Sequence, residues 1–265
     1  MRIGVMSNMA RTGKTTVMLQ LAYLYSRSQK KKVAIFSTGS LEHVTNPLLM
    51  LQEKDDAATT GVFKAMLESR SISGEKLFDY AIRGGRDEVY IFSLFSNSKD
   101  AQKSMEFLVS TSKSVSADMT LIEISKDIKW PGNKEVLEAC DVILDVFTPD
   151  ISSIADMRQH MKSLGTRDLK RTVLVCNMYD PRIMSEKKLS SFTGKGQNEV
   201  IPISYNPSFI KYAMDGDMSG FVNKCVDGHE DFLKLRSDVE KLMQVLYDTP
   251  KRKRIIPVKD WERNT

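Results

Sequence analysis

The sequence predicts an α/β protein, with a doubly wound, mostly parallel sheet of seven or eight strands and helices on both faces. Three observations predict it. Strand-like and helix-like runs alternate along nearly the whole chain. Several strand runs are continuously apolar, as parallel strands covered on both faces must be. Residues 8–16, Asn-Met-Ala-Arg-Thr-Gly-Lys-Thr-Thr, lie between the first strand and the first helix, where such a fold can hold a phosphate group.

Taken in order, Arg2–Ser7 reads as a short buried strand with its core at Ile3–Met6. Residues 15–29 follow with apolar side chains at 17, 18, 21, 22, 24 and 25, which is helical spacing. The next strand is Val33–Ser37, and helices are expected over 57–70 and 75–83. Strand Val89–Phe92, helix 98–114, strand Met119–Ile124 and helix 133–138 come next. Then come strand Val142–Phe147, helix 150–164, strand Thr172–Asn177, helix 185–192, strand Val200–Pro202 and helix 206–215. A last helix over 229–247 carries Phe232, Leu235, Val239, Leu242, Met243 and Leu246 on one broad face, suited to packing on the sheet rather than on a membrane. Residues 1–249 are expected to form one domain, and 250–265 a basic tail with two prolines.

Composition narrows the class. The 265 residues are 41% hydrophobic and 28% charged, ordinary values for a soluble globular protein. No apolar run approaches the roughly 18 residues of a membrane-spanning helix. The net charge of +5 is concentrated at Lys30, Lys31 and Lys32 and at Lys251, Arg252, Lys253 and Arg254. Three cysteines, Cys140, Cys176 and Cys225, lack metal-ligand spacing, so a reducing compartment is expected. The chain runs straight into a strand with no signal peptide, and the expected location is the cytoplasm.

The loop carries the chemistry. Its pattern is G-x-x-x-x-G-K-[ST] with the last fixed positions intact at Gly13, Lys14 and Thr15, and Asn8 at the first. Gly13 lets the backbone approach a phosphate, and the helix N-terminus adds its dipole and free N–H groups. Ala10, Arg11, Thr12 and Thr16 complete the expected cradle. Lys14 can reach the β- and γ-phosphates, and the Thr15 hydroxyl can ligate Mg²⁺.

The order of segments resembles the ParA/MinD-type ATPases, the deviant-Walker group of P-loop NTPases with a Rossmann-like sheet. The resemblance spans roughly residues 1–220. It rests on Lys32-Val-Ala-Ile-Phe as second strand, Leu121-Ile-Glu-Ile-Ser as the acidic switch-II strand, and Cys140 to Ile154 with its Thr-Pro-Asp-x-x-Ser-Ile helix start. Val173-Leu-Val-Cys-Asn177 and Ile201-Pro-Ile-Ser-Tyr-Asn-Pro-Ser-Phe-Ile complete it. The altered loop is similar in style to the TadZ/CpaE variant. The resemblance implies ATP and Mg²⁺ as ligands, with Thr15 and Glu123 near the metal and Asn177 and Pro202 at the base. It also implies a nucleotide-linked homodimer and a protein cargo or adaptor.

The departures fall on the catalytic parts. The family's loop reads Lys-Gly-Gly-x-Gly-Lys-[Thr/Ser]. Its first lysine, which reaches the partner's phosphates, is matched by Met9, and its two glycines by Ala10 and Arg11. Arg11 either supplies the missing cation or is a solvated loop residue. The aspartates at the end of the family's second strand are matched by Ser37 and Gly39, which carry no charge. Glu123 replaces the switch-II aspartate. Ile122 and Ile124 would face the other way, which favours a metal-proximal role over a solvent-facing one. An Asn at 177 can donate to and accept from an adenine edge. Asn-Met-Tyr-Asp lacks the lysine of the guanine motif Asn-Lys-x-Asp, so adenine is preferred.

Two functions from different classes follow. One is a nucleotide-dependent protein that positions or segregates a cargo, such as plasmid DNA or conjugation, secretion or pilus machinery, with weak hydrolysis. The other is a non-hydrolysing scaffold or adaptor. A small-molecule kinase is less well supported, because no second substrate-binding constellation stands out. The basic tail is either an anchor to DNA or an anionic membrane surface, making the protein peripheral to nucleoid or membrane, or a solvated extension.

Overall fold

A computed structural model describes residues 1–37, 74–93, 101–124, 133–196 and 199–249. The helix expected over 57–70, Gly39 and the tail from Pro250 lie outside these residues.

The apolar runs form one eight-stranded sheet. Its strands are β1 (Arg2–Met6), β2 (Val33–Ser37), β3 (Ile82–Arg83), β4 (Val89–Ser93), β5 (Met119–Glu123), β6 (Val142–Phe147), β7 (Thr172–Tyr179) and β8 (Val200–Ser204). The order is β3-β4-β2-β5-β1-β6-β7-β8. All pairs are parallel except β3 with β4, where Ile82 lies opposite Ile91. Parallel neighbours need long crossovers. The helices among the described residues are α1 (Lys14–Gln29), α2 (Ala101–Ser114), α3 (Asn133–Ala139), α4 (Ile151–Ser163), α5 (Thr166–Arg171), α6 (Glu186–Thr193), α7 (Pro207–Met214), α8 (Met218–Val226) and α9 (Glu230–Asp248).

Strand alternation divides the core. Ile3 and Val5 of β1, Val33 and Ile35 of β2, and Val142, Leu144 and Val146 of β6 face α1, α7, α8 and α9. Met6, Phe36, Ile122 and Ile143 face α2 and α3, while Phe147, Leu174 and Cys176 face α4 and α6. The chain winds outward from β1 in both directions, so the loop after β1 sits at the carboxyl edge where strand order reverses. Open α/β sheets bind ligands at that point.

One local expectation is corrected, and two helices were not expected. Residues 75–83 are not one helix. Glu75–Tyr80 is a 3₁₀ turn that buries Leu77 and Phe78, and Ile82–Arg83 pairs on the open edge of β4 before Gly84 and Gly85. α5 has six residues, too few to show a period. α8 contains Gly220, a poor helix former, but its start is fixed by the Asp217 carboxylate accepting from Gly220 N at 2.8 Å. No helix among the described residues is long and apolar enough to cross a membrane.

A buried Asp–His pair sits inside this core. His160 Nδ1 of α4 lies 2.8 Å from Asp145 Oδ2 of β6, with both side chains 1% exposed. Burial pushes the Asp145 carboxyl above its ordinary value, and the His160 ring opposes that shift. Asp145 Oδ1 and His160 Nε2 have no hydrogen-bond partner among the described residues. Such a pair adds little net stability over apolar packing, but half of it is costly. His160→Ala should therefore lose about 3 kcal/mol of unfolding free energy. The apolar double variant Asp145→Val/His160→Leu should recover most of that loss. Urea titration of both variants checks the ordering.

Candidate phosphate site

The loop is built by two backbone reversals. β1 ends at Met6, and the buried Ser7 turns the chain by donating from Oγ to Met9 O at 3.1 Å and accepting from Met9 N at 3.3 Å. Arg11 (φ 62°) and Gly13 (φ 78°) both adopt the left-handed conformation. Left-handed residues in such a turn can curl successive N–H groups toward one side, the geometry of an anion-binding nest. α1 begins at once, with Val17 N donating to Gly13 O at 3.0 Å. Its first turn has no acidic residue and its N-cap no capping side chain, so the helix dipole and free N–H groups remain available to an anion.

Gly13 is required by contact as well as by φ. A Cβ there would stand 2.2 Å from Asn177 Nδ2. Asn177, 2% exposed, donates from Nδ2 to Thr12 O at 2.9 Å. The end of β7 thus holds the loop from below, a link that no local pattern in the sequence announces.

The side chains of α1's first turn reach β5. Lys14 Nζ donates to Ile124 O at 2.9 Å, and Thr15 Oγ1 donates to Glu123 Oε1 at 3.0 Å. Burial lowers the Lys14 ammonium below its ordinary value of 10.5, and the Glu123 carboxylate partly restores it. A phosphate would supply the counter-charge that burial makes this lysine lack. Glu123 is only 9% exposed, which sets aside the solvent-facing alternative. Thr15 and Glu123 suit Mg²⁺, which takes one or two protein oxygens and completes its shell with phosphate and water. No cluster of three or more His, Cys, Asp or Glu able to hold a metal alone occurs among the described residues.

The other expected residues are dispersed around this centre. Ala10 and Arg11 are exposed at the crest of the loop, and Arg11 makes no hydrogen bond or ion pair with the described residues. Thr12 is buried with its Oγ1 unpartnered, and Thr16 is half-buried in α1. Pro202 lies inside β8 opposite Cys176, and strand pairing continues to Ser204. The rim beyond is Tyr205–Asn206. It is fixed by Asp238 of α9, a fully buried carboxylate that accepts from Ser204 N at 3.0 Å and from Lys234 Nζ at 2.7 Å. Ser37 ends β2 in register with Glu123, so the strand beside Glu123 ends without a carboxylate.

Two features bear on specificity and reactivity. Asp180 is held by Arg182, whose Nη2 donates at 2.6 Å and whose Nε lies 3.0 and 3.1 Å from the two carboxylate oxygens. That pairing holds the Asp180 carboxyl below its ordinary value. Burial pushes the thiols of Cys140, Cys176 and Cys225 up to about 12, so none is a nucleophile near neutrality. A cleft of about 1090 Å³ opens at the opposite, amino edge of the sheet, among Arg2, Lys113, Glu138, Asp141 and Lys170. Its mixed charges converge on no common point, and it belongs to no part of the phosphate site.

Comparison of the whole fold finds close architectural likenesses. A chain of the MinC:MinD cell division protein complex of Aquifex aeolicus superposes with a TM-score of 0.67 at 17% identity, covering 97% of this chain and 98% of that one. A ParA family ATPase from Chlorobium tepidum gives 0.65 at 14%, covering 90% and 98%. The septum site-determining protein MinD from Pyrococcus horikoshii, complexed with Mg-ADP, gives 0.64 at 19%, covering 92% and 98%. The fold is therefore that of MinD and ParA ATPases. No family model and no curated protein matches the sequence.

The left-handed Arg11 is a local strain, since a Cβ in that conformation costs about 1 kcal/mol relative to glycine. Arg11→Gly should raise the stability of the nucleotide-free protein by up to about 1 kcal/mol. A thermal melt without ligand checks this, and an unchanged or lower midpoint would show that the arginine is held by contacts rather than tolerated.

Proposed function

We propose that this chain binds ATP with Mg²⁺ on the 8–16 loop and positions or segregates a cargo through nucleotide-dependent dimerisation, with weak hydrolysis. One observation carries the proposal. Lys14 and Thr15 both reach the carboxyl end of β5, where Glu123 meets Thr15, on a loop that Asn177 braces. These contacts favour a phosphate and metal site over a chance Gly-Lys-Thr. The chemistry that ATP–Mg²⁺ would bring is the electrostatic energy of its phosphates and the metal.

In this reading the loop N–H groups and Lys14 hold the phosphates, and Thr15 ligates the metal with Glu123 reaching it through water. Asn177 gives one N–H of Nδ2 to the Thr12 carbonyl and keeps its other N–H and its oxygen, which in this reading meet the adenine edge. Arg182 occupies the Asp180 carboxylate that a guanine would need. Pro202 backs the rim segment on the base side. Ile151, Ile183 and Tyr205 are exposed apolar residues on the carboxyl edge around the loop, and a second copy of the chain would cover them. A dimer of that kind would recruit a protein cargo or adaptor. The protein would act in the cytoplasm, and Lys251, Arg252, Lys253 and Arg254 give it a means of approaching DNA or an anionic membrane.

Hydrolysis is where the second reading enters. Ser37 cannot accept a proton or orient water as a carboxylate does, and Met9 cannot reach across to a partner's phosphate. These residues favour a scaffold that binds ATP and does not turn it over.

Calorimetry should show ATP binding in the wild type with Mg²⁺, weaker binding without it, and none in Lys14→Ala. Phosphate release should stay below about 1 s⁻¹, and no release at all would select the scaffold. A wild type that fails to bind ATP overturns both readings.

The lowered Lys14 value gives a pH signature. A base depressed by burial loses its proton as pH rises through that depressed value, below the ordinary 10.5. ATP affinity should therefore fall in that alkaline range, while Lys14→Arg, always charged, should show a flat profile. Equal pH slopes in the two proteins would assign the effect to another group.

A further inference from the structure

We propose that the C-terminal tail, residues 250–265, docks back into the cleft at the amino edge of the sheet and keeps its own cations covered there. The cleft holds about 1090 Å³, and Thr249, the last described residue, is part of its lining. The tail therefore leaves α9 at the cleft's own wall. Docking from that point is intramolecular, and a short link keeps the effective concentration high. Contacts too weak to hold a free peptide can then hold the tail.

The cleft and the tail carry matching patterns. α2 and α3 bring Glu106, Glu135 and Glu138, all three exposed. Val109, Ala139 and Cys140 add a buried apolar lining. A separate element, α5, brings the exposed Arg167 and Lys170. Arg2 and Lys113 are further cations of the lining, and Asp141 accepts from Arg2 N at 2.8 Å. The Arg171 guanidinium is committed to the Cys140 carbonyl and the Asp168 carboxylate, so it is held within the wall. The tail opens with Lys251 to Arg254, continues with Ile255-Ile256-Pro257-Val258, and carries Asp260 and Glu262 on either side of Trp261. Its first cations suit the glutamates, its apolar run suits the apolar lining, and its two carboxylates suit α5.

A single small ion finds no centre in this cleft. An extended segment needs none, provided that its charges are segregated along its length. The glutamates also argue against a polyanion as occupant, because DNA or an anionic membrane would meet their charge. The consequence is regulatory. A docked tail cannot offer Lys251, Arg252, Lys253 and Arg254 to an outside surface, so the cleft would hold them in reserve until a competing anion draws them out.

The test is limited trypsin digestion of the full chain without nucleotide, read by mass as cleavage at Lys251 to Arg254. Glu135→Gln/Glu138→Gln removes acidic contacts and adds no cleavage site. It should speed tail cleavage roughly three- to tenfold. Ile255→Ser/Ile256→Ser, which keeps every cation, should speed it as well. Raising the salt from about 50 mM to about 500 mM should speed the wild type and change the glutamate variant little. If the glutamate variant has a lower thermal midpoint, the isoleucine variant and the wild-type salt response decide. Wild-type cleavage as fast as in the variants would overturn the proposal, because the tail would then stand free. Protection that grows with protein concentration would overturn it too, by placing the tail in the cleft of a second copy. Protection seen only with added anionic vesicles or duplex DNA would do the same, by giving the tail a different cover. No nucleotide enters the assay, so its failure leaves the nucleotide reading untouched.

Discussion

Everything at the carboxyl edge of the sheet depends on the missing side chain at Gly13. Three strands end around this residue. β1 leads into its loop, β5 receives the two side chains that follow it, and β7 presses an amide where a Cβ would be. A methyl group at Gly13 would push Asn177 away and free the Thr12 carbonyl. It would also put a side chain into a left-handed conformation that disfavours one. The loop, the helix start and the β5 contacts would then lose their common anchor. Gly13 thus combines a left-handed φ with a close contact at the carboxyl edge.

In the proposed reading, the electrostatics of that edge suit a guest charge. A partly buried ammonium faces a carbonyl and a neighbouring carboxylate, and an uncapped helix start adds its dipole. Each group is paired in the absence of ligand, yet the lysine remains short of counter-charge. Burial makes each of these interactions stronger than it would be in water. Arg11 differs, because it stands exposed and unpaired among the described residues. It can meet an anion from outside the loop, such as one carried by another chain, without disturbing what lies within.

Much of this was legible in the sequence. Five-residue apolar runs fixed the positions of the central strands, because a strand covered on both faces leaves no freedom of period. The Gly-Lys-Thr at 13–15 located the start of the first helix, because helix start and motif coincide. What escaped is non-local or too short. Ile82–Arg83 is a strand only because β4 offers an open edge. α5 spans less than two turns. Nothing near Asn177 in the sequence indicates that its amide ends on Thr12, 165 residues away. The bulge of β7 at Met178 (φ 55°) is hidden because methionine is not a residue one reads as left-handed. Asp238 is invisible as an anchor, since a carboxylate on a polar-looking turn of α9 gives no hint that it lies fully buried beneath Ser204.

The two edges of the sheet carry a consequence of their own. A row of unpaired strand amides is a template on which other chains can aggregate. On one side the sheet closes with β3, a two-residue antiparallel strand bearing Arg83 and followed by Gly84 and Gly85. On the other it closes with β8, where Pro202 has no N–H to offer an incoming strand. Among the described residues neither edge presents a continuous ladder. A chain whose exposed apolar residues lie partly around the loop can therefore be drawn toward a partner there, with little risk of growing into fibrils through its flanks.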